Sequence, residues 1–366
     1  MSRKTDDFMA MKGAGYYSKA TVGAKHVMDN AAGLILDALE RQPPVDDGSP
    51  FTMTDMGAAD GGTSIDMVGR VLRTVRTLCP SRPIQMVYTD LPHNDFSQLM
   101  QIVHGLTDIP TYARDVENLY VFASATSFHK PIVPPGSLNL GHSATASHYI
   151  AEVPCEIEDH VHMVGARGTV RQAFEDRGAA DWQNFLTLRA RELVSGGFLA
   201  LFNFGIDEEG RYLGHTGGVS MFDTFNEIWR ELVSDGVITQ AEYKATNFPQ
   251  VYRTVDQFCA PLADSNSPVY QAGLRLEHVE TRVVPCPFAE DFKRHGDPAA
   301  FAESYIPTLR SWSERVFLAG LSNDRPLDER AEIVDTFYGR YQQRVAAAAD
   351  GHGMDYVHCY MICRKI

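Results

Sequence analysis

Two acidic residues and a run of glycines carry the chemistry most visible in this sequence. In FTMTDMGAADGGT, residues 51 to 63, an apolar run with β-branched residues ends on Asp55 and breaks into a turn holding Gly57, Gly61 and Gly62; a helical pattern starts near Thr63. Such an order describes a strand, a tight loop and a helix N-terminus. Glycines let the backbone come close to a nucleotide-like molecule, and an acid at the strand end can hold one of its amino or hydroxyl groups. A second acid, Asp90, closes the next apolar run in QMVYTDLPHNDF. Taken singly, each acid is equally a helix cap or a turn former. At two matching strand ends they favour a ligand site.

The elements that must position these acids alternate along the chain. Strands are predicted at about 51 to 56, at IQMVY ending on Thr89-Asp90, at LYVFASA (119 to 125, read as buried), at SLNLGH (137 to 142) and at FLALFNF. Helices are predicted over 63 to 78, around Phe96 to Val103, and over Asp181 to Val194, the last closed by Gly196-Gly197. This alternation predicts an α/β fold with a mainly parallel, doubly wound sheet and ligands at the carboxyl ends of its strands. Val22, Val27, Ala31, Leu34, Ile35 and Ala38 predict an amphipathic helix before the Pro43-Pro44 linker. Residues 1 to 45 are therefore read as a covering segment and 46 to 204 as the cofactor-binding core. Residues 205 to 270, with a helix from Met221 to Val233, form a helical cap inserted into that core. Residues 271 to 366 complete the sheet with LRLEHVETRVV and DYVHCYMICRK and add helices over Phe301 to Leu318 and Leu327 to Ala347.

Composition narrows the partners. A formal net charge of -14 argues against nucleic acid or an anionic membrane, both of which select for clustered Lys and Arg. The six cysteines are dispersed without a CxxC pair, which points to reduced thiols and to no metal site. No stretch approaches ~18 uninterrupted apolar residues and MSRKTDDFMA has no apolar leader core, so a cytoplasmic protein without membrane insertion is expected.

The loop itself narrows the ligand. G-A-A-D-G-G is not the G-x-G-x-x-G of dinucleotide sites, and no Walker lysine follows. A D-x-G-x-x-x-G turn with a second acid after the next strand is the arrangement of the class I S-adenosylmethionine fold. Four segments, MKGAGYYS, TDMGAADGGT, YTDLPHNDF and LNLGHSATASHYIAEVP, then resemble in order and spacing the signatures of the SABATH carboxyl methyltransferases. That family includes salicylic, benzoic and jasmonic acid methyltransferases and the caffeine-pathway N-methyltransferases. NFPQVY and the strand after Gly196-Gly197 also resemble family positions, so the resemblance covers nearly the whole chain.

The resemblance implies roles for individual residues. Asp55, with Gly57 and Thr63 in the same loop, would bind the amino end of S-adenosyl-L-methionine; Asp90 and Leu91 would hold its ribose and adenine. Ser127 and Phe128 would line the adenine, and Ser18 matches a serine of the N-terminal cofactor segment. His26 stands for a substrate-tethering glutamine, across a one-residue gap, and Tyr149 for a tryptophan with the same task; both keep a hydrogen-bond donor. Lys12, Tyr16, Thr145, His148, Met221 and Phe222 would face the substrate. Asp60 is read as the cap of the following helix rather than as a neighbour of the sulfonium. A homodimer is also implied.

A carboxylic acid, with a pKa near ~4, is already ionised at pH 7, so methyl transfer to it requires alignment and no general base. The expected activity is O-methylation of a small lipophilic carboxylic acid, a medium-chain fatty acid before an aromatic acid. The competing readings are an N-methyltransferase of the same fold and a non-catalytic cofactor-binding module.

Overall fold

The computed structural model describes residues 3–366. Its strands are β1 (Arg3–Lys4), β2 (Phe51–Met56), β3 (Ile84–Asp90), β4 (Leu119–Ala125), β5 (Leu138–Ala144), β6 (Glu152–Val153), β7 (Leu193–Ile206), β8 (Arg253–Thr254), β9 (Leu274–Val284) and β10 (Tyr356–Lys365). The helices that matter below are α1 (Tyr16–Ala20), α2 (Val22–Arg41), α3 (Ile65–Leu78), α4 (Phe96–Val103) and α5 (Gly168–Glu192). Four more form the cap: α6 (Met221–Ser234), α7 (Gln240–Ala245), α8 (Pro298–Gly320) and α9 (Leu327–Ala347).

The main sheet runs β4-β3-β2-β5-β7-β10-β9, with β8 paired to β7. The five strands from β4 to β7 are parallel, and β10 is antiparallel to both β7 and β9. From β2 the chain winds outward through β3 to β4, then returns to the other side of β2 as β5. Ligands bind in the crevice that opens where the winding reverses, at the carboxyl strand ends. Asp55 lies there, in register with Tyr88 on β3 and His142 on β5.

β2 is buried along its whole length, as an apolar strand covered on both faces must be. α2 and α3 pack together over one face. The cap is held by aromatic packing: Phe225 and Trp229 of α6 meet Phe317 of α8 and Phe337 of α9 at ring separations of 4.9 to 5.7 Å. Among the described residues no helix is long and apolar enough to cross a membrane.

Two sequence expectations require correction. LYVFASA, read as buried, is the sheet edge β4, with Tyr120 52% and Phe122 47% exposed. Apolarity signals a strand but not its place in the sheet, and the chain after β4 has no helix to cover it. Gly196-Gly197 does not close a helix either. α5 begins at Gly168 and stops at Glu192, and both glycines lie inside β7, where pairing with β5 shifts register between Leu138 and Leu140. Gly196 has φ +79° there, so the pair marks a strand irregularity.

Candidate active site

The turn after β2 is laced to the end of β3. Gly57 and Ala58 donate their N–H groups to the Thr89 carbonyl at 2.9 and 3.1 Å, and Ala59 N–H reaches one Asp90 carboxylate oxygen at 2.7 Å. The other Asp90 oxygen takes Leu91 N–H, also at 2.7 Å. Gly57 sits at φ +83°, and a Cβ on it would fall 2.5 Å from the Ala146 Cβ. Both the sign of φ and the missing side chain are therefore required.

Asp55 is 3% exposed and accepts a hydrogen bond from the Ser64 hydroxyl at 2.6 Å. Burial raises its pKa to about 7, with the nearby Asp90 charge adding and Ser64 opposing. Burial raises the Asp90 pKa too, against the Ala59 and Leu91 N–H groups that stabilise its charge. Two desolvated carboxyl groups whose pKa values burial raises suit a ligand that brings positive charge.

Two cavities meet above these loops. The first is lined by Gly57, Ala59, Asp90, Leu91, Ser127 and Phe128, with Met9 and Ala10 of the N-terminal segment beside them. The second is walled by Ala24, His148, Phe204, Trp312, Met354 and Tyr356. Met11, Tyr17, Thr145 and Tyr149 line both. Thr145 holds φ +52°, strained for a β-branched residue, with its N–H bonded to the Phe202 carbonyl at 2.9 Å. Burial pushes the Tyr17 hydroxyl up to about 12 and raises that of Tyr149, so both are protonated donors at neutral pH.

The expected site residues divide among these places. Gly57, Asp90, Leu91, Ser127 and Phe128 line the first cavity, His148 the second, and Thr145 and Tyr149 the junction. Asp55 and Thr63 are buried beneath the loop and line neither. Ser18 turns its hydroxyl and N–H to Asp60, the N–H at 3.0 Å. Asp60 therefore ties the N-terminal segment to the cofactor loop, and α3 has no side-chain cap, contrary to expectation.

Other residues stand apart from both cavities. Lys12 is engaged by Glu314 at 3.1 Å and lies over the Tyr16 ring, away from either cavity. Met221 and Phe222 are buried one layer behind, Phe222 stacked on His162 at 3.8 Å. His26 is exposed on α2. Two residues turn a helix by ~200°, so His26 faces opposite Ala24, which reaches the second cavity.

Sequence reasoning missed Met11, Tyr17, Ala24, Trp312, Met354 and Tyr356. Met11 and Tyr17 carried a signal, their place in MKGAGYYS. Ala24 lies one helical turn from Val27 on the apolar face of α2. The others come from distant parts of the chain and had none.

The strand order, the reversal beside β2 and the paired acids define a class I S-adenosylmethionine-dependent methyltransferase fold. The chain matches the model of the SAM dependent carboxyl methyltransferase family over residues 6–365, and it belongs to that family. It is 25% identical to loganic acid O-methyltransferase of Catharanthus roseus over 66% of this chain and 67% of that protein. O-methyltransferase acrG of Aspergillus aculeatus is 27% identical over 96% of this chain and 95% of its own length. A solved structure of loganic acid methyltransferase with SAH superposes with a TM-score of 0.74 at 21% identity, covering 98% of both chains, which shows the shared fold. S-adenosyl-L-methionine is the cofactor, and the first cavity fits it: glycine backbone no Cβ could enter, a carboxylate at the end of β3, and Phe128 as an apolar wall.

Proposed function

We propose that this enzyme esterifies the carboxylate of a compact, lipophilic acid held in the second cavity. The observation that carries the reading is the junction: Tyr17, Thr145 and Tyr149, three hydroxyl-bearing residues, line both cavities together with Met11. These are neutral donors, and among the described residues no Lys or Arg lines either cavity. Hydrogen bonds from neutral hydroxyls orient a carboxylate while leaving a lone pair free, whereas a bidentate arginine would tie it up.

When bound, S-adenosyl-L-methionine supplies an electrophilic methyl group on sulfur, and its displacement leaves a neutral thioether. The chain's part is alignment, water exclusion and desolvation, which together lower such barriers by roughly 7 to 11 kcal/mol in favourable cases. Asp90 and Leu91 orient one end of the cofactor and the Gly57 turn the other. Tyr17, Thr145 and Tyr149 orient the acceptor, and Met9 and Met11 shut out water.

A medium-chain fatty acid is one member of the acceptor class. An aromatic acid is the second reading, favoured by Phe204, Trp312, Tyr356 and His148 around the cavity. We also propose a homodimer, which light scattering would register as twice the 40.6 kDa chain mass.

An ester assay with methyl-labelled cofactor over straight-chain, benzoic and indole acids tests the activity. Labelled ester is expected from at least one, and Tyr149→Phe combined with Thr145→Ala should lower kcat/KM by ~100-fold. Cofactor binding without ester from any acid would exclude carboxyl methylation.

A further inference from the structure

The second cavity contains polar groups that a carboxylate at the junction does not account for. His148 is 3% exposed and Tyr356 2% exposed, and both line this cavity and not the first. His148 Nδ1 has no hydrogen-bond partner. The Tyr356 hydroxyl lies by the Ala24 backbone without completing a hydrogen bond. Tyr305, Tyr341 and Tyr360 also bury hydroxyls without partners; His148 and Tyr356 differ from them in lining a cavity, where a ligand can supply the partner.

Their neighbours deepen the pattern. His148 packs on Tyr149 at 4.4 Å and Phe204 at 4.9 Å, and Phe204 packs on His358 at 4.3 Å. The hydroxyl of Tyr252 and both ring nitrogens of His358 are also buried without partners. Burial holds the His148 and His358 imidazoles far below their ordinary range, and the Arg253 guanidinium, which lies outside the cavity lining, adds to the effect on His148. Among the described residues no Asp, Glu, Lys or Arg lines the second cavity.

From this arrangement, and resting on the carboxyl methyltransferase reading above, we propose that the acceptor acid carries a second oxygen, a hydroxyl or carbonyl remote from its carboxylate, received by His148 and Tyr356. A neutral imidazole donates or accepts according to tautomer, and a phenol does both, so either oxygen function is served. A second carboxylate is not, because it would enter a dry cavity with no cation to meet it. Phe204, Leu213, Trp312 and Met354 require the carbon frame between the two oxygen functions to be apolar. A plain fatty acid would fill the same volume and strand both polar groups. Sites built to bond a substrate hydroxyl reject the analogue lacking it by large factors.

The test uses matched acids on the intact enzyme: octanoic acid against its distal hydroxy and oxo analogues, phenylpropionic acid against its para-hydroxy analogue, and octanedioic acid. Ester formation gives kcat/KM, and calorimetry on the S-adenosylhomocysteine complex gives acid affinity independently of turnover. An oxygenated member is expected to exceed its parent by at least ~100-fold in kcat/KM and to bind correspondingly tighter. Tyr356→Phe should cut that ratio by ~10-fold, with S-adenosylhomocysteine affinity serving as the check that the variant is folded. Parents equal to or better than their oxygenated partners, or a ratio unmoved by Tyr356→Phe, would overturn this inference and leave carboxyl methylation standing. Ester from no acid at all would remove both.

Discussion

Asp55 is a carboxyl group whose burial makes its contribution to stability depend on pH. Its pKa stands at about 7, against an ordinary 3.8, because burial outweighs the Ser64 hydrogen bond. A carboxyl group raised on folding stabilises the fold fully only below its unfolded value, and that contribution is lost as pH rises through the folded value. Between pH 4 and 8 the unliganded protein therefore loses on the order of a few kcal/mol at this position. Asp55→Asn should melt higher than the wild type at pH 8, with the gap closing towards pH 4. A melting advantage that is absent at pH 8, or that grows towards pH 4, would refute the argument. Asp55 was visible in the sequence because a strand ended on it. His26 was misplaced for a different reason: the residue type favoured it, whereas helical phase determines which side chain faces inward.

Among the elements, the turn from β2 into α3 bears the strictest constraint. Gly57 combines a positive φ with backbone packed against Ala146. In Gly57→Ala the left-handed conformation costs ~1–2 kcal/mol before the steric conflict is counted. The turn must then shift, taking with it the N–H groups of Ala58 and Ala59 that fix Thr89 and Asp90. A lower melting temperature and at least a ~10-fold rise in the cofactor Kd are expected by thermal shift and calorimetry. Unchanged affinity would mean the turn does not shape the first cavity. The glycine spacing announced this element, and the aligned acids indicated which ligand it serves. β4 was legible as a strand and illegible as an edge, since edge position depends on what other segments do. Similarly, Gly196-Gly197 resembled a helix stop because the same residue type serves strand irregularities.

At the scale of the whole molecule, the core buries imidazoles in number. Burial takes His142 down to about 4 and His358 to about 3, and holds His148 and His162 well below the usual 6.5. Groups whose folded pKa is depressed contribute stability that is complete above the unfolded value, near 6.5, and lost as pH falls towards the folded values. The urea midpoint should therefore drop by roughly 1 M between pH 7 and pH 5, opposite in direction to the Asp55 contribution. A midpoint that stays level over that interval would show the imidazoles to be hydrated after all.

The cofactor side of this protein could be recognised in its residues because it is assembled from local segments. Strand, acid and glycine turn succeed one another within residues 51 to 63, and a strand ends on an acid again at Asp90, so spacing along the chain is spacing in the site. The second cavity, by contrast, is gathered from α2, the segment after β5, α8 and β10, residues from Ala24 to Tyr356. Nothing in linear order joins Ala24, His148, Trp312 and Tyr356. They share a cavity because the sheet reverses beside β2, the cap helices pack over the strand ends, and α2 and β10 present single faces inward. Which hydroxyls and imidazoles remain unpartnered there depends on that packing, and so does the choice of acid.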